Sequence, residues 1–376
     1  MVAAVEGFDP AHWNRIVIKI GSSLLVDREG HIREDWLKTI VEEIAERHAA
    51  GQQIIIVSSG AIALGARRLK LPKGGRSCVE DAQAAAATGQ IALSHKWAEL
   101  LEAKGLTAAQ ILVTLDDLEH RRRYLNASAT LERLLGLGVV PVVNENDSVA
   151  TAEIRFGDND RLAARIAQAA DANAVVLLSD IDGLYTANPH KYPDARLIEH
   201  VEAITDEIVA MADGGSSSGM GSGGMLSKLE AAKIANSAGV HLAIISGHKD
   251  HPLSAFAQTG QGTVFHSAGS QGARKKWLAG RLTVKGHISV DAGAAKALAG
   301  GNSLLPAGVL TVAGEFARGD VVDIKDETGH VVARGLSEYD SVDAIKIIGC
   351  RSEEIARILG SVSRSVLVHR DHMVML

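Results

Sequence analysis

The sequence predicts an α/β protein whose larger part is a three-layer α/β/α sandwich with a mainly parallel sheet, followed by a small β-rich barrel domain. The first observation is a series of short aliphatic segments, each followed by a small polar turn and a helical stretch, which is typical of buried parallel strands. The second is the alternation of strands with Ala-rich helices, which favours helices on both faces of the sheet. The third is a change near residue 280 to short alternating segments broken by turns.

The elements of the larger part follow in order along the chain. The first predicted strand, Arg15–Ile20, places three isoleucines on one face and stops at Gly21. Further strands are predicted at residues 54–57, 139–143, 174–178 and 240–245. Helices are predicted at residues 35–50, 125–135, 160–170, 204–212 and 229–238, and in the Ala-rich stretch that follows residue 60. Ligands of such sheets bind beyond the carboxyl ends of the strands, which is where Gly, Ser, Asn and Asp cluster in this chain.

The smaller part shows a different pattern. Short strands are predicted at residues 282–285, 287–290, 309–312, 321–324, 331–333 and 366–368, and short helices at 292–298 and 353–359. The length of 376 residues also suggests two domains, at about 150 residues for each. We therefore expect a first domain at residues 1–268, a linker at 269–280 and a second domain at 281–376.

Composition narrows the class of protein. The formal net charge is −6, from 39 Lys and Arg against 45 Asp and Glu, which argues against non-specific nucleic-acid binding. The two cysteines, Cys78 and Cys350, lie far apart and form no disulfide or zinc pattern, as expected in a reducing compartment. No signal peptide is visible, and no apolar run approaches the roughly 18 residues that a membrane-spanning helix needs. We expect a cytoplasmic protein.

Two lysines are candidates for binding an anion. Lys19 lies at the end of an otherwise apolar strand, where a charge is costly unless it faces a ligand or a partner. Lys228 ends a Ser- and Gly-rich run that opens a helix, and free amides at a helix start attract phosphate. Taken alone, the run is slightly more typical of a surface loop than of a phosphate site. Lys19 alone is as typical of a lysine that reaches solvent from a strand end as of one that faces a ligand. The P-loop pattern G-x-x-x-x-G-K-[ST] does not occur.

Two clusters of amides and carboxylates stand out at residues 144–147 and 157–160. Asn and Asp are common in turns, so each cluster alone is compatible with turn chemistry. Two such clusters in adjacent strand–helix units exceed what turns usually need, which favours a functional role for these residues.

Several stretches taken together resemble the amino acid kinase family, and in particular its members that phosphorylate glutamate. In the first domain these are residues 18–23 (IKIGSS), 57–61 (VSSGA), 144–147 (NEND), 157–160 (GDND), 182–185 (DGLY) and 221–228 (GSGGMLSK). The second domain resembles the PUA domain at residues 290–294, 303–309, 316–320 and 369–371. The order and spacing of these motifs make the resemblance specific over nearly the whole chain.

The resemblance implies a reaction in which ATP, with Mg²⁺, phosphorylates the side-chain carboxylate of L-glutamate to give L-glutamyl 5-phosphate, the first step of proline biosynthesis. It implies that Lys19 and Lys228 contact the phosphates and that Asp160 holds both lysines. The ATP site that it implies comprises Lys19, Gly21, Ser179, Asp180, Ser222, Gly223, Gly224, Met225, Leu226, Ser227 and Lys228. The glutamate site that it implies comprises Ser59, Gly60, Asn144, Asp147 and Asn159. Mg²⁺ would be carried mainly by the ATP phosphates, with no protein ligand.

Elementary chemistry agrees with these roles. Phosphoryl transfer needs positioning and charge stabilisation more than covalent participation of the protein. The nucleophile is a carboxylate that is already ionised at neutral pH, so no general base is needed. Two lysines supply positive charge, and an aspartate between them offsets their mutual repulsion.

The resemblance further implies feedback inhibition by proline, a homo-oligomer, and a glutamate-5-semialdehyde dehydrogenase as pathway partner. Two alternatives stay open at this point. One is another family member with aspartate, acetylglutamate, carbamate or UMP as acceptor. The other is an RNA-binding protein that acts through the PUA-like domain, which the net charge of −1 in residues 281–376 (11 Lys and Arg, 12 Asp and Glu) disfavours.

Overall fold

The computed structural model of the chain describes residues 13–27, 30–149, 159–189, 191–212, 224–267, 284–360 and 365–376. The chain folds into two units, Met1–Ala268 and Gly269–Leu376. The linker expected at residues 269–280 lies outside the described residues, and the strand expected at 282–285 begins outside them.

The first unit contains a sheet whose described strands are β1 (Arg15–Ile20), β2 (Gln53–Val57), β3 (Ala108–Val113), β4 (Val140–Glu145), β5 (Ala174–Ser179), β6 (His200–Val201), β7 (His241–Ser246) and β8 (Gly262–Phe265). Their order is β3-β4-β2-β1-β5-β7-β8-β6. Neighbouring strands are parallel except for β7 and β8, which are antiparallel. The carboxyl ends of β1, β2, β4, β5 and β7 therefore meet at one edge of the sheet.

The helices described in the first unit are α1 (Ser22–Leu25), α2 (Glu34–Ala49), α3 (Ala61–Arg68), α4 (Val79–Glu102), α5 (Leu115–Glu119), α6 (Arg121–Gly136), α7 (Asn159–Ala169), α8 (Asp206–Ala212), α9 (Met225–Ser237) and α10 (Pro252–Thr259). Ile16, Ile18 and Ile20 of β1 share a core with apolar residues of α2, α4 and α10. Because side chains alternate along a strand, Lys19 lies on the opposite face, which α7 covers. The expected α/β/α sandwich with a mainly parallel sheet is confirmed.

Sequence reasoning missed β3, β6, β8, α1, α5 and α10, and it predicted one helical stretch where the structure has α3 and α4. The residues of β3 are mostly half-buried or exposed, because it is an edge strand, so its sequence lacks a continuous aliphatic run. The short β8 is buried, but it reverses direction after α10 to lie antiparallel to β7. Strand direction depends on the connection, which periodicity within one segment does not reveal.

Helices α3 and α4 meet at two glycines. A Cβ atom on Gly65 would lie 1.7 Å from the carbonyl oxygen of Ala85, and one on Gly89 would lie 1.8 Å from that of Ala61. The two backbones approach so closely only because both positions lack a side chain. Since α3 begins at Ala61, this contact holds the loop between β2 and α3 against α4.

Replacing Gly65 or Gly89 with alanine is expected to destabilise the first unit by about 3 kcal/mol, because the added methyl group must push two helix backbones apart. Thermal unfolding measures the loss. Gly136→Ala is the control, because a Cβ atom at this last position of α6 would meet no atom within 4 Å. Unchanged unfolding midpoints in both core variants would contradict the close helix contact.

The second unit has its own sheet, whose described strands are β9 (Gly286–Val290), β10 (Val309–Gly314), β11 (Val321–Lys325), β12 (Val331–Ser337) and β13 (Val368–Met375), in the order β10-β9-β11-β12-β13. Its helices are α11 (Ala292–Ala299), α12 (Ser341–Lys346) and α13 (Ser352–Leu359). Ile288, Val322 and Leu367 lie in a core that belongs to this unit. The expectation of a second, β-rich unit is confirmed, and α12 is the helix that was not predicted.

Candidate active site

Three charged side chains meet at the carboxyl edge of the first sheet. The ammonium nitrogen of Lys19 lies 2.6 Å from one carboxylate oxygen of Asp160, and that of Lys228 lies 3.0 Å from the other. Lys19, Asp160 and Lys228 are 8%, 1% and 3% exposed. This lysine–aspartate cluster carries one net positive charge. An anion that reaches it is held strongly, because surrounding protein screens charge less than water does.

Each member of the cluster comes from a different element. Lys19 is the next-to-last residue of β1, and it pairs in register with Val57 of β2 and Leu177 of β5. Asp160 and Lys228 lie in the first turns of α7 and α9. Because α7 packs against both β1 and α9, segments far apart in the sequence converge at this point.

The carboxylate of Asp160 stays ionised in this setting. Burial raises the pKa of a carboxyl group, but the ammonium groups of Lys19 and Lys228 outweigh burial and lower the pKa of Asp160 to about 2. A permanently negative Asp160 holds two like charges near each other before any ligand binds.

The side chain of Asn159 joins the ends of two neighbouring strands. Its Nδ2 shares two hydrogens among three acceptors, the backbone oxygen of Ser58 at 2.9 Å, Ser59 Oγ at 2.7 Å and Asn144 Oδ1 at 3.0 Å. Asn159 is 2% exposed, and its Oδ1 has no hydrogen-bond partner among the described residues. A buried acceptor of this kind costs free energy until a ligand supplies a donor.

Asp147 is a second buried acceptor nearby. It is 6% exposed, and its Oδ1 also has no hydrogen-bond partner within the described ranges. Burial raises the pKa of Asp147 to about 6, although Arg76 acts in the opposite direction. Asp147 borders a cavity of about 400 Å³ that α4 and β3 help to line. A cationic ligand group would stabilise the ionised form of this carboxylate.

Another cavity, of about 490 Å³, is lined by residues that follow β5 and β7, among them Asp180, Tyr185 and His248. Ser179 at the end of β5 donates to the Asp180 carboxylate at 3.1 Å. The Asp182 carboxylate accepts hydrogen bonds from Tyr185 Oη at 3.0 Å and from Gln261 Nε2 at 2.9 Å. The volume and the mixed polar and apolar lining suit a small molecule such as a nucleoside.

Most of the site residues expected from the sequence lie at one edge of the sheet. Ser59, Gly60, Asn144, Asp147 and Asn159 lie on the side of β2 and β4, and Ser179 and Asp180 on the side of β5. Gly21 follows β1, and a Cβ atom at this position would lie 3.8 Å from Lys19 Nζ.

The structure describes only part of the predicted glycine-rich segment, residues 222–228. Ser222 and Gly223 lie outside the described residues. Gly224 precedes α9, and Met225 lines the 490 Å³ cavity. Ser227 is half-buried in the first turn of α9, whereas Leu226 is 43% exposed and lines neither cavity.

Sequence reasoning missed two residues of α4 that contact the site. Gln90 Oε1 accepts a hydrogen bond from Asn144 Nδ2 at 2.7 Å, and Trp97 Nε1 donates to Ser58 Oγ at 2.9 Å. Their spacing of seven positions places them on one face of a helix. That spacing is shared by ordinary core residues, so the pattern alone did not distinguish them.

Comparison with known proteins agrees with this geometry. Residues 14–246 match the amino acid kinase family, and residues 286–359 match the PUA domain. The chain belongs to the amino acid kinase family.

Three relatives of the chain are glutamate 5-kinases. The chain is 63% identical to the glutamate 5-kinase of Zymomonas mobilis over 98% of this chain and 93% of that protein. It is 64% identical to the glutamate 5-kinase of Sphingopyxis alaskensis, over 98% of this chain and 99% of the relative. Identity to the glutamate 5-kinase of Novosphingobium aromaticivorans is 58%, over 96% of each chain.

Among the described residues, no helix is both long enough and apolar enough to span a membrane.

Proposed function

We propose that this chain transfers the γ-phosphoryl group of ATP to the side-chain carboxylate of L-glutamate, which yields L-glutamyl 5-phosphate. The observation that carries the proposal is the adjacency of Asn159 and Asp160. Asn159 is hydrogen-bonded to Ser58, Ser59 and Asn144, whereas Asp160 belongs to the lysine–aspartate cluster. One turn of α7 therefore joins a site for a small polar acceptor to a site for a phosphate. The names of the relatives supply the acceptor, glutamate.

On the phosphate side, Lys19 and Lys228 stabilise the charge on the transferring phosphoryl group, and Asp160 keeps them in place. Support comes from their burial and from the two ion pairs, which hold both ammonium groups before ATP arrives. Such preorganised charge lowers the barrier without reorganisation during the reaction. Gly21, Ser179, Asp180 and the segment from Ser222 to Lys228 bind the nucleotide, and Mg²⁺ enters on the ATP phosphates.

On the acceptor side, Asp147 and Asn159 bind the ammonium group of glutamate, and Ser59, Gly60 and Asn144 complete the pocket. Support comes from the two buried oxygens that lack a hydrogen-bond partner in the described part of the chain, since an ammonium group donates three hydrogen bonds. The γ-carboxylate of glutamate is ionised at neutral pH and attacks the phosphorus directly, so no side chain has to remove a proton.

An assay of ADP release with a panel of acceptors tests the proposal. Glutamate is expected to support turnover, and aspartate, acetylglutamate, carbamate and UMP are expected not to. A site that pairs each polar group of its substrate rejects analogues that leave a buried group unpaired. Turnover with another acceptor of the panel and none with glutamate would overturn the assignment.

The pH dependence of glutamate use reports on Asp147. Because its pKa is raised to about 6, lowering the pH below about 6 protonates the carboxyl group and removes the partner of the substrate ammonium group. We expect kcat/KM for glutamate to fall about tenfold per pH unit below pH 6, as for a single essential ionisation in the free enzyme.

The variant Asp147→Asn is expected to raise the KM for glutamate about 30-fold or more at pH 7.5, because losing one partner of a buried charge pair costs about 2 kcal/mol or more. Its kcat/KM should no longer fall between pH 6.5 and 5. Asp147 would be removed from the acceptor site if the variant had an unchanged KM for glutamate, or if its kcat/KM still fell at low pH as steeply as that of the wild type.

We also propose that the protein is cytoplasmic, that it forms a homo-oligomer, and that proline inhibits it at or near the glutamate site. Acyl phosphates hydrolyse readily, so a dehydrogenase that reduces glutamyl 5-phosphate is the expected pathway partner. A proline titration of the glutamate assay tests the regulation, and unaltered rates at all proline concentrations would contradict it.

A further inference from the structure

We propose that Gln90 of α4 is a positioning residue for the acceptor. Together with the backbone groups of Glu145 and Ser58, it holds the amides of Asn144 and Asn159 in one orientation, so that Asn159 presents a carbonyl oxygen to the ammonium group of the amino acid. This inference rests on the proposed function, because it assigns a specificity role within the same site.

The orientation of the Asn144 amide follows from a backbone group. The backbone N–H of Glu145 donates to Asn144 Oδ1 at 2.9 Å. A backbone N–H only donates, so this side of the amide must be the oxygen, and Nδ2 must point the other way. There Nδ2 donates to Gln90 Oε1 at 2.7 Å. Gln90 is therefore required as an acceptor.

The orientation of the Asn159 amide follows in the same way. The backbone carbonyl of Ser58 only accepts, so the atom that lies 2.9 Å from it must be Asn159 Nδ2. The same Nδ2 donates to Asn144 Oδ1 at 3.0 Å. Asn159 Oδ1 is left as the buried acceptor that has no hydrogen-bond partner among the described residues. The three amides thus form one chain of hydrogen bonds, in which Asn159 donates to Asn144 and Asn144 donates to Gln90.

Loss of the Gln90 oxygen would make the orientation of the Asn144 and Asn159 amides less stable. Asn144 is 2% exposed, so its Nδ2 would become a buried donor without a partner. Rotation of the amide would relieve that donor, but it would turn Nδ2 of Asn144 toward Nδ2 of Asn159 and set two donors against each other. Either outcome disturbs the oxygen that receives the substrate ammonium group.

Contacts of helix α4 with neighbouring elements hold Gln90 in place. Its Trp97 is fully buried and donates to Ser58 Oγ at 2.9 Å, so α4 holds the end of β2 as well as that of β4. The close backbone contact between Gly89 and Ala61 lies next to Gln90 in the chain and packs this part of α4 against the start of α3.

Steady-state kinetics of Gln90→Met and Gln90→Glu test the inference at pH 7.5. Methionine keeps the volume but accepts no comparable hydrogen bond, so the KM for glutamate is expected to rise about tenfold, with kcat and the KM for ATP changed less than twofold. Glutamate at position 90 still accepts from Asn144 Nδ2, and it is expected to recover most of the loss. His95→Ala is the control on α4, since His95 is exposed to solvent and lines neither described cavity.

A glutamate KM equal to that of the wild type in Gln90→Met would overturn the inference, and so would equal impairment of the Met and Glu variants. Thermal unfolding of each variant separates a general loss of folding from a change confined to glutamate binding. If the wild-type protein does not phosphorylate glutamate at all, the proposed function itself is wrong. The wild-type assay alone shows this, so it is distinguished from a failure of the Gln90 inference, which only the variants can show.

Discussion

Replacing Lys228 with alanine is expected to lower kcat for glutamate phosphorylation by about 10²–10³-fold, the effect of removing one preorganised charge-stabilising donor. Lys228 is 3% exposed and lies 3.0 Å from Asp160, so its ammonium group is already in place before the reaction. Its loss leaves the cluster with no net positive charge, because Asp160 then balances Lys19 alone. The same reasoning applies to Lys19→Ala.

Steady-state assays with saturating glutamate and ATP measure this loss. Lys233→Ala is the matched control, since Lys233 lies on the same helix but is exposed to solvent. It is expected to keep normal turnover. Near-normal turnover in both Lys19→Ala and Lys228→Ala would remove the cluster from catalysis, whatever the acceptor.

Replacing Asp160 with asparagine is expected to damage both stability and activity. Asparagine keeps the shape of the side chain but removes the charge that lies 2.6 Å from Lys19 and 3.0 Å from Lys228. Removing one partner of a buried ion pair costs about 3–5 kcal/mol, because the remaining charge is left uncompensated. For a unit of this size that loss lowers the unfolding midpoint by roughly 10 °C. We expect kcat to fall at least as far as in Lys228→Ala, because both lysines lose their anchor.

Thermal unfolding and turnover are measured on the same preparations. Glu230→Gln is the matched control, because Glu230 pairs with Arg161 at 3.8 Å between the same two helices, α7 and α9, but it is 61% exposed. Such a surface pair contributes about 0–1 kcal/mol, so little change is expected. If Asp160→Asn unfolds like the control and keeps its turnover, the cluster does not hold the lysines as described.

Much of the fold was predictable because the signal is local. Buried parallel strands such as β1 and β5 are aliphatic over most of their length, since both faces of the sheet are covered. The edge strand β3 lacks that constraint and was missed. The antiparallel β8 was missed for another reason, because its direction depends on α10 and not on its own residues.

The candidate site, like the fold, was predictable from the sequence only in part. The sequence by itself determined which residue types stand at the strand ends, and the family resemblance indicated that Lys19, Lys228 and Asp160 act together. The resemblance also implied that Asp160 holds both lysines, but only the tertiary structure decided the geometry. Each ammonium group pairs with a different oxygen of the Asp160 carboxylate, because the packing of α7 on α9 brings Lys228 to Asp160 across 68 residues of sequence. The tertiary structure also decided the role of α4. A glutamine in an Ala-rich helix carries no signal by itself, and its hydrogen bond to Asn144, 54 residues away, forms because α4 packs beside the ends of β2 and β4, where Trp97 and the close contact with α3 help to hold it.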